Sequence, residues 1–100
     1  MARLSTHVLD TANGRPAGGV RIQLALDGTV LRTATTNADG RADLGDVEAG
    51  VYELVFGIGD YFGVIDGFLG EVVVRFGVTD GKYHVPLLVS PYGYTTYRGS

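Results

Sequence analysis

Apolar and polar positions alternate with a period of two along most of this chain. Val20, Ile22, Leu24 and Leu26 alternate with Arg21, Gln23, Ala25 and Asp27, which predicts a strand with one buried face. Asp27-Gly28 then turns the chain into a second run, Val30 to Thr36, rich in β-branched residues. Val51 to Phe56 and Glu71 to Phe76 repeat the pattern, and Leu4 to Leu9, Tyr83 to Val89 and Tyr94 to Arg98 complete the main set. Ala42 to Leu44 is a short further candidate. Glycine or proline marks nearly every junction, among them Gly14-Arg15-Pro16, Gly18-Gly19, Asp39-Gly40, Asp80-Gly81 and Pro91. Only Tyr61 to Asp66, between flanking glycines, has helical character, and then for one or two turns. Many short strands with glycine-rich turns predict an all-β sandwich or barrel of antiparallel strands.

Composition narrows the class. One hundred residues predict one domain over positions 1–100, because two cores would each sit near the lower limit for independent folding. Eight Lys and Arg against eleven Asp and Glu give a net charge of −3 with no basic block, so a dedicated nucleic-acid binder is not expected. The absence of cysteine removes disulfides, thiolate metal sites and a cysteine nucleophile. The opening MARLSTHVLD lacks the apolar stretch of a signal peptide, and no apolar run reaches the roughly 18 residues of a membrane span. The expectation is a cytoplasmic protein with no membrane partner.

Several motifs resemble known chemistry without meeting its requirements. Gly57-Ile58-Gly59 with Gly63 has GxGxxxG spacing rather than GxGxxG, and no βαβ unit surrounds it. Asn37, Asp39 and Gly40 echo a calcium loop, but Thr35 and Asp46 occupy its first and last ligand positions, so a turn is the better reading. His7 and His84 have no zinc-ligand spacing. His7 shares its strand face with Ser5 and Leu9; His84 shares its face with Pro86 and Leu88, opposite Val85, Leu87 and Val89. Taken alone, both are solvent-facing or hydrogen-bonded histidines, Arg41 is a turn arginine, and Tyr97 and Arg98 are an edge aromatic and a charge.

The wording of the whole chain alters that reading. Ser5-Thr6-His7-Val8-Leu9-Asp10-Thr11, followed by Gly14-Arg15-Pro16-Ala17, resembles the opening of the 5-hydroxyisourate hydrolases, the transthyretin-like enzymes of urate breakdown. Thr36-Asn37-Ala38-Asp39-Gly40-Arg41 and Gly59-Asp60-Tyr61-Phe62 are similar to two further blocks of that family, in order. The run from Tyr83 to Tyr94 and the terminal Tyr97-Arg98-Gly99-Ser100 are the strongest matches, and transthyretin carriers lack the terminal tetrapeptide.

The resemblance implies a transthyretin-like two-sheet antiparallel β-sandwich of seven to eight strands, with one short helix near residues 61–66. It implies a homotetramer with active sites where dimers meet, 5-hydroxyisourate as the small-molecule substrate, and no cofactor or metal. The matching residues are His7, Arg41, His84 and Ser100 as catalytic groups, with His7, Arg41, Tyr97 and Arg98 binding substrate. Histidine, whose ordinary pKa is about 6.5, can accept or give a proton near neutrality, and a neighbouring arginine would keep an imidazole neutral. The rival implied by the same fold is a small-molecule carrier without turnover.

Overall fold

The computed structural model of the protein describes residues 1–63 and 67–100. Its strands are β1 (Ala2–Asp10), β2 (Arg15–Pro16), β3 (Arg21–Leu26), β4 (Thr29–Thr35), β5 (Arg41–Val47), β6 (Gly50–Phe56), β7 (Val72–Val78), β8 (Gly81–Val89) and β9 (Tyr94–Thr96). Among the described residues one helix, α1 (Ile58–Phe62), lies between β6 and β7.

The strands form two sheets. One has the order β4-β3-β6-β7; in the other, β1 is flanked by β2 and β5 on one side and by β8, then β9, on the other. Among the described residues every strand pairing is antiparallel except β1 with β8, which run parallel from Ala2 opposite Gly81 to Asp10 opposite Val89. The expected two-sheet sandwich is therefore present, with one parallel pairing in an otherwise antiparallel arrangement. Alternation reports which face a residue occupies but not the direction of the strand beside it.

Side-chain alternation explains the core. Ala2, Leu4, Val8, Val85, Leu87 and Val89 of one sheet meet Ile22, Leu24, Leu54, Phe56 and Val72 of the other, and all are buried. Thr6, on the same inward face, avoids an unpaired hydroxyl by donating to the Val85 carbonyl at 2.6 Å. Arg32 of β4 donates to the carbonyls of Leu44 and Asp46, each at 2.6 Å, and so ties the edge of one sheet to β5 of the other.

Three details differ from the sequence expectations. The two-residue β2 adds a ninth strand where Arg15-Pro16 was expected as a junction only; it is held by pairing with Leu9 and Asp10. The strand expected over Tyr94 to Arg98 stops at Thr96, and Gly99 then returns to bridge His84. The helix begins at Ile58 rather than Tyr61 because buried Ile58 anchors its first turn, and it ends at Phe62 where Gly63 caps it. Residues 64–66, the rest of that expected helix, lie outside the described residues.

Candidate active site

β1, β5 and β8 place a polar cluster on the outer face of the five-stranded sheet. On β1 the inward positions are Leu4, Thr6 and Val8, so Ser5 and His7 point the other way. The register sets Ser5 beside His84 on β8 and beside Asp43 on β5, and His7 beside Arg41. A shallow pocket of about 310 Å³ opens there, lined by Ser5, Thr6, Asn37, Arg41, Ala42, Asp43 and His84. Three of the residues expected in the site, His7, Arg41 and His84, are thus neighbours although 77 positions separate the histidines in the chain.

Each imidazole is held by a defined partner. His84 Nδ1 lies 2.9 Å from Ser5 Oγ. On the opposite edge of the ring, a β-carbon placed on Gly99 would come within 2.8 Å of His84 Cδ2. The Gly99 amide donates to the His84 carbonyl at 2.7 Å, so the terminal segment is pinned against this ring. His7 Nε2 lies 2.8 Å from the Asp39 carbonyl. A carbonyl only accepts, so Nε2 carries the hydrogen and Nδ1 is the nitrogen left free when the ring is neutral.

The turn that supplies this carbonyl is organised by Asn37. Its side-chain oxygen accepts from the amides of Asp39 and Arg41, at 2.9 and 3.0 Å, and its backbone pairs with both Gly40 and Arg41. Gly40 has φ +76°, and a β-carbon there would collide with the Val8 carbonyl, so only glycine brings the turn this close to β1. The residues read in the sequence as an ordinary turn therefore aim Arg41 and orient His7.

The electrostatics favour a neutral His84. Burial, followed by the positive charges of Arg41 and His7, holds its pKa below the ordinary value. Asp43 stays anionic: its hydrogen bond from Arg3, at 2.5 Å, and a second from the Gly45 amide hold its carboxyl below the usual range.

The terminal residues divide. Gly99 reaches His84, and exposed Ser100 follows it. Arg98 does not join the cluster: its guanidinium lies 4.1 Å over the Tyr83 ring, on the core side of β8. Tyr97, 56% exposed, and Arg98 line a separate cavity of about 370 Å³ with Val74, Phe76, Tyr83 and Val85, between the edges of the two sheets. Ser5, Asn37 and Gly99 were not among the residues expected in the site; period-two alternation had already put Ser5 on the face of His7, but nothing in the pattern paired it with His84.

Residues 4–99 match the sequence profile of the HIUase/Transthyretin family. The chain belongs to that family. It is 53% identical to a 5-hydroxyisourate hydrolase of Mesorhizobium japonicum, with 98% of this chain and 92% of that protein covered. Among solved structures, the 5-hydroxyisourate hydrolase of Klebsiella pneumoniae superposes with a TM-score of 0.92 at 35% identity, covering both chains in full. The thyroxine complex of sea bream transthyretin superposes with a TM-score of 0.81 at 28% identity, covering 96% of this chain and 93% of the other. The same sandwich thus serves named hydrolases and a transthyretin solved with thyroxine, so the distinction between them rests on side chains rather than on fold.

Proposed function

We propose that this protein is a hydrolase that opens 5-hydroxyisourate to 2-oxo-4-hydroxy-4-carboxy-5-ureidoimidazoline. The observation that carries this reading is the cluster itself: His84, its pKa held below the ordinary value, shares the outer face of the sheet with His7 and Arg41, and the terminal segment is pinned against its ring. A carrier gains nothing from two acid–base groups and a cation gathered on one face of the sheet. The relatives that cover nearly the whole chain at about half identity are themselves 5-hydroxyisourate hydrolases, which supports the same conclusion.

The reaction adds water to a ring amide. One imidazole takes a proton from the attacking water as its oxygen bonds to the carbonyl carbon. The carbon–nitrogen bond then breaks, and the departing ring nitrogen receives a proton from the other imidazole. Arg41 stabilises the negative charge that develops on the carbonyl oxygen, a contribution of about 3–4 kcal/mol for one such donor where water is excluded. Ser100, which follows Gly99, positions water; Tyr97 walls the pocket and Arg98 balances substrate charge once both leave the separate cavity that they line with Tyr83. In this reading the pocket, open on an isolated chain, is closed by a homotetramer in which the sites lie where dimers meet.

The test is the ultraviolet decay of 5-hydroxyisourate generated in place from urate by a urate oxidase. Acceleration over the spontaneous rate, lost on deleting Tyr97 to Ser100 with the fold retained, supports the hydrolase. No acceleration by well-folded tetramer would overturn it and favour the carrier.

A further inference from the structure

We propose that Ser5 is a positioning residue: its hydroxyl accepts a hydrogen bond from His84 Nδ1–H and so fixes the tautomer whose bare Nε2 faces the pocket. The inference deepens the hydrolase reading and rests on it.

The ring is located on both edges. Nδ1 is turned to Ser5 at 2.9 Å, and Cδ2 lies against Gly99, so the remaining Nε2 edge points away from the sheet. A neutral imidazole carries one hydrogen, on either nitrogen. The groups that face it decide which. Ser5 from β1 lies at Nδ1, and Gly99 from the terminal segment, at the Cδ2 edge, adds only backbone. Only the Nδ1–H form leaves a lone pair on Nε2, so a ring that serves as a base in the pocket carries its hydrogen toward Ser5.

Ser5 Oγ is suited to accept that hydrogen. The acidic neighbour across the register, Asp43, spends its two oxygens on Arg3 and on the Gly45 amide, so it does not compete for Nδ1. Threonine in place of serine preserves the acceptor and suits a strand. Alanine removes it and leaves Nδ1–H without a partner, which shifts the ring toward the Nε2–H form. That form has no lone pair on the pocket side and is not a base there.

The test reads the tautomer directly, from the two ring-nitrogen chemical shifts of His84 in isotope-labelled protein above its pKa. The wild type is expected to show a protonated Nδ1 and a bare Nε2. Ser5→Ala should move the population toward Nε2–H and lower kcat about threefold to tenfold, the worth of one modest hydrogen bond, with KM changing less. Ser5→Thr should restore both. A wild-type ring with its hydrogen on Nε2, or an unchanged tautomer ratio in Ser5→Ala, would overturn the proposal. Because the nitrogen shifts need no turnover, failure of the hydrolase assay and failure of this inference are distinguishable.

Discussion

Replacing Gly99 by alanine puts a methyl group where the structure has no room for one. The new carbon would sit 2.8 Å from His84 Cδ2, 3.3 Å from the His84 carbonyl oxygen and 3.3 Å from Pro86 Cγ. Ordinary contact needs about 3.4 Å or more, so the ring or the segment must yield by about 0.6 Å. Two responses compete. Forcing the methyl in, with the imidazole pushed toward Ser5, is overpacking and costs about 1–3 kcal/mol. Releasing the terminal segment forfeits chiefly the Gly99 amide bond to the His84 carbonyl, about 0.5–1.5 kcal/mol net. Release is the cheaper response, so the last residues should peel away from β8 while the core is untouched.

Hydrolysis should then fall about a hundredfold in kcat/KM, the scale expected when positioned groups move by roughly an ångström. The melting temperature should fall by roughly 2–12 °C, the equivalent of the 0.5–1.5 kcal/mol forfeited, with the cooperative transition of the core retained. The comparison is the decay rate of 5-hydroxyisourate in wild type, Gly99→Ala and the deletion of Tyr97 to Ser100, with thermal unfolding alongside. Gly93→Ala is the control, since a β-carbon there meets nothing within 4 Å. Activity of Gly99→Ala within about twofold of wild type would refute the steric reasoning.

Other perturbations follow from the same geometry. Arg41→Gln removes one of the positive charges that depress His84, so the His84 pKa should rise toward its ordinary value; proton resonance titration of the ring checks this, and an unchanged or lower midpoint would contradict it. Tyr61→Phe removes the 2.9 Å hydrogen bond to buried Asp10 and should cost about 1–2 kcal/mol near neutrality. Burial pushes the Asp10 carboxyl up, but bonds from Asn13 and Tyr61 outweigh it and hold the pKa below the usual value. Their stabilisation is present above the unfolded-state value of about 3.9 and is lost as pH falls through the folded value, so denaturant curves at pH 7 and in strong acid should show the penalty shrinking. Phe56→Ala opens a void between the sheets at a fully buried position and should cost about 3–5 kcal/mol, read as a lower denaturant midpoint.

Much of this molecule was legible in the order of its residues. Strand existence followed from alternation, because a sandwich buries one face of each strand and exposes the other. The same alternation placed His7 and Ser5 together on the outward face of β1, and His84 on the outward face of β8. The terminal Tyr97-Arg98-Gly99-Ser100 and the Asn37-to-Arg41 block pointed to a family that the whole-chain match bears out. Boundaries were less legible: the helix began three residues early because Ile58 found a place in the core, a decision made by packing and not by local preference.

Only the tertiary structure decided which of these residues meet. Period two assigns a face to each side chain but carries no information about neighbouring strands, their direction or their register. The parallel alignment of β1 with β8 sets Ser5 against His84, and the antiparallel alignment with β5 sets His7 against Arg41. That junction of three strands depresses the His84 pKa and sets Ser5 at one edge of its ring, while the returning terminal segment sets Gly99 at the other. It also separates Arg98 from the histidines and lays it over Tyr83, since strand β9 ends before the chain turns back at Gly99. The chemistry was written locally in the sequence, and its assembly depended on long-range strand pairing, which the cooperative burial of the common core determines.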